Sequence, residues 1–157
     1  MEREDGSERA VVTVDAAGTQ ALAAALAAVA EAGDVLCLSG PLGAGKTQFA
    51  KGFGAGLGVG EAIISPTFIL MAEYAGRLPL FHLDLYRVGG AIEALEDGLL
   101  DERERDGVTI VEWPDRLGPA LPRARLDVSI EGESDDPRTI RLRPSDARHR
   151  RYLAAVR

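Results

Sequence analysis

The sequence predicts an α/β domain of three layers, with helices packed on a mixed, mainly parallel sheet that also carries antiparallel hairpins. Three observations predict it. Short apolar runs at residues 35–38 and 108–111 read as strands buried on both faces, as in parallel sheets covered by helices. A glycine-rich turn at 40–45 separates the first run from a helical pattern, the strand–loop–helix order of an α/β unit. Residues 126–130 and 140–142 alternate apolar with polar, as antiparallel strands with one wet face do.

The elements follow in order. Residues 10–14 read as a short strand ending at Asp15. A helix is expected from Thr19, which can cap it, to Gly33, with Leu22, Leu26 and Val29 at helical spacing. The second helix begins near Lys46 and stops among Gly54, Gly56, Gly58 and Gly60. Ser65 precedes Pro66 and is pushed away from helical geometry, so 65–68 reads as a loop. Residues 68–74 and 78–85 flank a short glycine-containing link and predict a hairpin. Ile92, Leu95 and Leu99 predict a short helix, and a Glu-Ser-Asp-Asp-Pro turn joins the last two strands.

At 157 residues the chain fits one domain, 1–157, with terminal segments at about 1–9 and 144–157. Hydrophobic residues at 46% and charged ones at 27% are globular values, so wholesale disorder is not expected. The longest apolar run, 21–30, is half of what a membrane crossing needs, and the N-terminus is acidic where a secretory signal is basic and then apolar. Cys37 is the sole cysteine and reads as an inert buried thiol. The expected setting is cytoplasmic, with no membrane partner.

Net charge is −7, which argues against a general nucleic-acid binder. Seven arginines nevertheless fall within 138–157 beside one acid, Asp146. A solvated basic tail is the expectation there, with contact to RNA or an acidic partner protein as the sharper alternative. Of eighteen basic residues only Lys46 and Lys51 are lysines.

The chemistry is concentrated at 40–47. Gly-Pro-Leu-Gly-Ala-Gly-Lys-Thr matches G-x-x-x-x-G-K-[ST] between a predicted strand and a predicted helix, the context that makes the pattern meaningful. Its glycines let backbone N–H groups converge on a phosphate, and the helix start adds its positive end. The nucleotide-binding candidates are Gly40, Leu42, Gly43, Ala44, Gly45, Lys46 and Thr47; Pro41 has no amide N–H to give. Lys46 serves the β- and γ-phosphates, and the Thr47 hydroxyl serves Mg²⁺. Lys51 lies in the second helix, so no lysine remains for an Asn-Lys-x-Asp guanine reader, and ATP is favoured.

Phosphoryl chemistry also needs a carboxylate near Mg²⁺ and a group to orient water. Asp84 and Glu112 qualify, each at the C-terminal end of a predicted strand, where such sheets bind ligands. Each could instead be a turn residue or a helix cap. Thr67 sits where a switch threonine would close over the γ-phosphate, or is an ordinary loop residue. Trp113 reads as core, site wall or partner surface, and His82 as a hydrogen-bonded strand histidine.

Gly40 to Thr47, Ser65-Pro-Thr-Phe with Tyr74, His82-Leu-Asp-Leu-Tyr-Arg87 and Val111-Glu-Trp-Pro together resemble the TsaE (YjeE) family. These are small P-loop ATPases of bacterial tRNA threonylcarbamoyladenosine synthesis. The resemblance spans about residues 10–143, and the segments beside the phosphate loop make it specific. It implies a P-loop NTPase-like fold and a Mg²⁺-dependent ATP hydrolase, weak alone, that works with TsaD and TsaB and meets tRNA through that complex. Hydrolysis would reset the complex between turnovers. Carried over by position, Lys46, Asp84 and Glu112 are catalytic, and Thr47, Asp84 and Glu112 surround the metal. Ser65 and Thr67 belong to a switch loop, Trp113 to the site wall, and Arg87 to charge neutralisation or partner anchoring. A small-molecule kinase and a nucleotide-gated binding module are the alternatives from other classes.

Overall fold

In the computed structural model, residues 7–63, 71–86 and 106–156 are described. They contain a seven-stranded sheet of order β1-β7-β6-β2-β5-β4-β3. The strands are β1 Arg9–Thr13, β2 Val35–Ser39, β3 Met71–Tyr74, β4 Leu80–Asp84, β5 Val108–Glu112, β6 Leu126–Glu131 and β7 Arg138–Pro144. The four central strands, β6, β2, β5 and β4, run parallel to one another. Antiparallel partners flank them, β3 on one side and β7 followed by β1 on the other. The mixed sheet is therefore as expected, with its parallel pairing confined to the middle.

Helices α1 (Ala16–Ala27) and α2 (Lys46–Gly56) cover one face together with the short C-terminal helix α3 (Arg151–Ala154). Alternation decides which side chains meet them: Leu36 and Leu38 of β2, Val108 and Ile110 of β5, and Val128 and Ile130 of β6 point to the helices. Phe49 and Phe53 of α2 pack into this core, their rings 6.4 Å apart. The opposite face is smaller; Cys37, Phe81, Leu83 and Val111 pack there under Leu117 of the 3-10 segment Pro114–Ala120. The two long helices touch backbone to backbone. A Cβ at Gly52 would lie 2.2 Å from the Gln20 carbonyl oxygen, so only glycine fits that crossing.

Three sequence expectations change. The α1 cap is Asp15, whose carboxylate accepts the Gly18 N–H at 2.7 Å, and the helix starts three residues earlier than expected. Thr19 is a buried helix residue whose hydroxyl meets that of Thr13 at 2.8 Å. Among the described residues the C-terminal basic segment is not wholly a solvated tail either. Tyr152 is fully buried, and Arg148 and Arg151 fold back onto Asp34 at the start of β2. The expected helix at 92–99 and the first residues of the expected hairpin strand lie outside the described residues.

Candidate functional site

The strand β2 ends at Ser39, and its chain turns through 40–45 into α2. The turn needs positive φ at Gly40, Gly43 and Gly45, the last of which opens α2 at φ 114°. No side chain caps α2, so its first backbone N–H groups stay available to an anion. By contrast, α1 is closed by Asp15.

Lys46 stands at that helix start. Its ammonium donates to the Gly40 carbonyl at 2.8 Å and lies 3.7 Å from the centre of the Trp113 ring. Burial pulls its pKa down from the ordinary lysine value, while Glu112, Asp84 and Asp115 push it back up. The same register places Asp84 of β4 directly opposite Glu112 of β5, at the C-terminal ends of adjacent parallel strands. Burial raises the Asp84 pKa, with Glu112 adding to it and the Tyr86 N–H, His82 and Lys46 opposing. The Tyr86 N–H donates to Asp84 at 3.1 Å.

Glu112 is almost fully buried and takes a 2.5 Å hydrogen bond from His82 Nε2. Trp113 follows in a left-handed backbone conformation, φ 60°, that a bulky residue seldom adopts. The Tyr86 ring, 5.0 Å away and tilted by 48°, holds the indole from the other side. Lys46, Thr47, Asp84, Glu112, Tyr86 and Trp113 line one cavity of about 290 Å³. A second cavity, of about 330 Å³, opens across the same turn between Asp15, Gln48 and the β6–β7 loop at Ser134.

Of the sequence candidates, Leu42, Gly43, Gly45, Lys46, Thr47, Asp84, Glu112 and Trp113 are brought together around that first cavity, whereas Gly40 and Ala44 do not line it. Ser65, Thr67 and Arg87 lie outside the described residues. Sequence reasoning missed Arg138. Its guanidinium crosses from β7 to donate to the Ala44 carbonyl at 2.8 Å and the Gly43 carbonyl at 3.3 Å, and also to Ser134 at 3.0 Å. It ties the turn to the far hairpin. Nothing in local pattern could have paired residues 94 positions apart.

Among the described residues no group of three or more His, Cys, Asp and Glu side chains is placed to hold a metal. Two carboxylates and a threonine hydroxyl facing one cavity nevertheless fit Mg²⁺, which is commonly held by one or two carboxylates, waters and substrate phosphates. The like charges of Asp84 and Glu112 favour a cation between them.

A family model described as "Threonylcarbamoyl adenosine biosynthesis protein TsaE" matches residues 13–140. The chain belongs to the TsaE family. It is 46% identical over 129 residues to the tRNA threonylcarbamoyladenosine biosynthesis protein TsaE of Bacillus subtilis, covering 82% of this chain and 80% of that one. The Treponema pallidum TsaE is 41% identical over 110 residues, 70% of this chain and 82% of the relative. The crystal structure of Bacillus subtilis YdiB superposes with a TM-score of 0.75 at 38% identity, over 94% of this chain and 92% of that one. The α/β fold and its mixed sheet agree with that structure. Membership of the TsaE family places the chain in tRNA threonylcarbamoyladenosine biosynthesis. Among the described residues no helix is long and apolar enough to cross a membrane.

Proposed function

We propose that this TsaE-family chain is a cytoplasmic Mg²⁺-dependent ATPase that hydrolyses ATP in complex with TsaD and TsaB. Hydrolysis then resets the complex between turnovers of tRNA threonylcarbamoyladenosine modification. One observation carries the reading: a buried lysine at an uncapped helix start shares a cavity with two carboxylates ending adjacent parallel strands. A triphosphate would satisfy the lysine and helix start, and its Mg²⁺ the carboxylates.

The amides of 42–46 and the α2 start receive the β-phosphate, and Lys46 leaves the Gly40 carbonyl to meet the β- and γ-oxygens. Thr47 and Asp84 would hold Mg²⁺, which when bound neutralises charge on the phosphates. Glu112, bonded through one oxygen to His82, keeps its other oxygen for the attacking water. Trp113 and Tyr86 wall the site against bulk solvent. The second cavity, reached across Gly43 and Gly45, takes the nucleoside end, so the nucleotide straddles the turn. By family resemblance Ser65 and Thr67 would serve as a switch loop, and Arg87 would neutralise charge or anchor a partner.

The test is ATP hydrolysis by this chain alone and with TsaD, TsaB and unmodified tRNA, run beside repeated rounds of modification. Hydrolysis that responds to the partners and is required for multiple turnovers supports the reading. Fast partner-free hydrolysis, or modification that proceeds without this chain, refutes it.

A further inference from the structure

We propose that His82 is a positioning residue for Glu112, holding one carboxylate oxygen so that the other faces the water that attacks ATP. The inference rests on the role given to Glu112 above and adds a residue to it. His82 is fully buried on β4, and its register neighbours are Ala72 on β3 and Ile110 on β5. Its Nε2 lies 2.5 Å from Glu112 Oε2. A carboxylate only accepts, so Nε2 carries a proton and donates it. Among the described residues Nδ1 has no hydrogen-bond partner.

An orphaned buried nitrogen costs stability, and an apolar residue of similar volume between alanine and isoleucine would avoid the cost. Packing therefore gives no reason for a histidine. The bond to Glu112 is the one polar contact the ring makes among the described residues. It runs diagonally across two strands, since Glu112 pairs in register with Asp84 and His82 with Ile110. A ring clamped between two strands has no freedom to follow a wandering carboxylate. It fixes Glu112 in one rotamer, with Oε2 held to the ring and the other oxygen left for the cavity that Glu112 lines. Lys46 and Asp84 do not depend on this bond, so nucleotide affinity should be insensitive to it.

The experiment compares His82→Leu, His82→Gln and Glu112→Gln in the full chain, with and without TsaD and TsaB. It reads kcat, KM, the Kd for Mg-ATP, thermal midpoints and the imidazole ¹⁵N spectrum of the nucleotide-free protein. In the wild type the spectrum should show a proton on His82 Nε2. His82→Leu should lower kcat about 100-fold, the scale of lost orientation, with Kd within about twofold and the melting point unchanged or higher. His82→Gln, whose amide N–H₂ can reach the same oxygen, should restore about tenfold of the loss. A folded His82→Leu with wild-type kcat overturns the proposal, and so does a Kd that rises in step with the fall in kcat. An Nε2 that carries no proton overturns it independently of any activity. Should His82→Leu not fold, the folded His82→Gln carries the test: a kcat about tenfold below wild type at wild-type Kd and melting point supports the clamp, and a Kd that rises in step with the fall in kcat refutes it. Glu112→Gln at the wild-type rate refutes the assigned role of Glu112 itself, whereas an inactive Glu112→Gln beside an active His82→Leu refutes only the clamp.

Discussion

The strand β2 is five residues long, and its two ends treat charge in opposite ways. At its start Asp34 is fully buried and saturated: Arg148 Nε at 3.1 Å, the Glu31 N–H at 2.9 Å, and the Arg151 guanidinium and Tyr152 hydroxyl all donate to it. At its finish Lys46 is folded back on a carbonyl, and Asp84 and Glu112 end adjacent strands side by side, the charge of Glu112 helping to raise the Asp84 pKa. One end is closed by groups from 114–118 positions away; the other leaves electrostatic work for a ligand. A strand can be anchored by completing the charges at one end while the other stays reactive, and the reactive end is recognised by what it leaves unsatisfied.

The largest effect that would break this contrast is Lys46→Ala. Hydrolysis should fall at least about 100-fold and Mg-ATP binding should weaken, because a positioned cation is removed from the phosphates. Stability in urea should change by less than about 1 kcal/mol, since the ammonium is partly desolvated and makes one backbone bond. A loss of several kcal/mol would mean that Lys46 is as structural as Asp34.

The converse variant is Asp34→Ala. It strips an acceptor from two arginines, a tyrosine and a backbone N–H, and should cost about 3 kcal/mol in urea unfolding. The figure is set at the low end for a buried pair because the Arg148 side chain is 47% exposed and can turn to water. Specific ATPase activity of the folded fraction should be unchanged. An equal fall in activity would show that the two ends of β2 are coupled.

Cys37 lies between them and reports on both. Burial, with Asp127 adding and Arg125 opposing, pushes its thiol up to about 12. Its reaction with a disulfide reagent at pH 8 should therefore be slower than that of a free thiol by about 1,000-fold or more. Asp34→Ala should accelerate it by loosening the strand, and Lys46→Ala should not. Acceleration by both variants would erase the distinction.

Much of the reactive end was legible in the chain. Gly40 to Thr47 is a contiguous motif, and Asp84 and Glu112 each end an apolar run, so local pattern alone places them at strand tips. The closed end was not legible. Asp34 reads as a strand boundary, Arg148 and Arg151 read as a solvated tail, and only folding brings them together. Arg138 was hidden for the same reason, since its partners are carbonyls of Gly43 and Ala44 and carbonyls leave no trace in sequence. The sheet order was equally silent: β1 pairs with β7, a contact set by neither turn nor period. Asp15 outranked Thr19 as the cap because Thr19 was needed inside the helix, bonded to Thr13.

The smallest effect sharpens the comparison at the closed end. His149 is buried against β2: its Nε2 accepts the Val35 N–H at 3.2 Å and its Nδ1 meets Asp146 Oδ1 at 2.7 Å. Partial burial works to raise the Asp146 pKa, but the His149 backbone N–H and ring, with Arg148, outweigh it and hold the carboxyl below the usual range. A carboxyl depressed in the folded state stabilises above its unfolded pKa, and that contribution disappears as pH falls through the folded pKa. Asp146→Asn should therefore be less stable than the wild type by about 0.5 kcal/mol at pH 6, a value kept small because the side chain is 31% exposed. The difference should shrink as pH falls below about 4, because the wild-type group then becomes neutral too. Urea midpoints of both proteins at pH 6, 4 and 2.5 measure this. A difference that persists undiminished at pH 2.5 would mean that Asp146 acts through hydrogen-bond geometry rather than charge. The closed end would then resemble a helix cap more than an ion-pair lock, and its contrast with the cationic turn at Lys46 would rest on Asp34 alone.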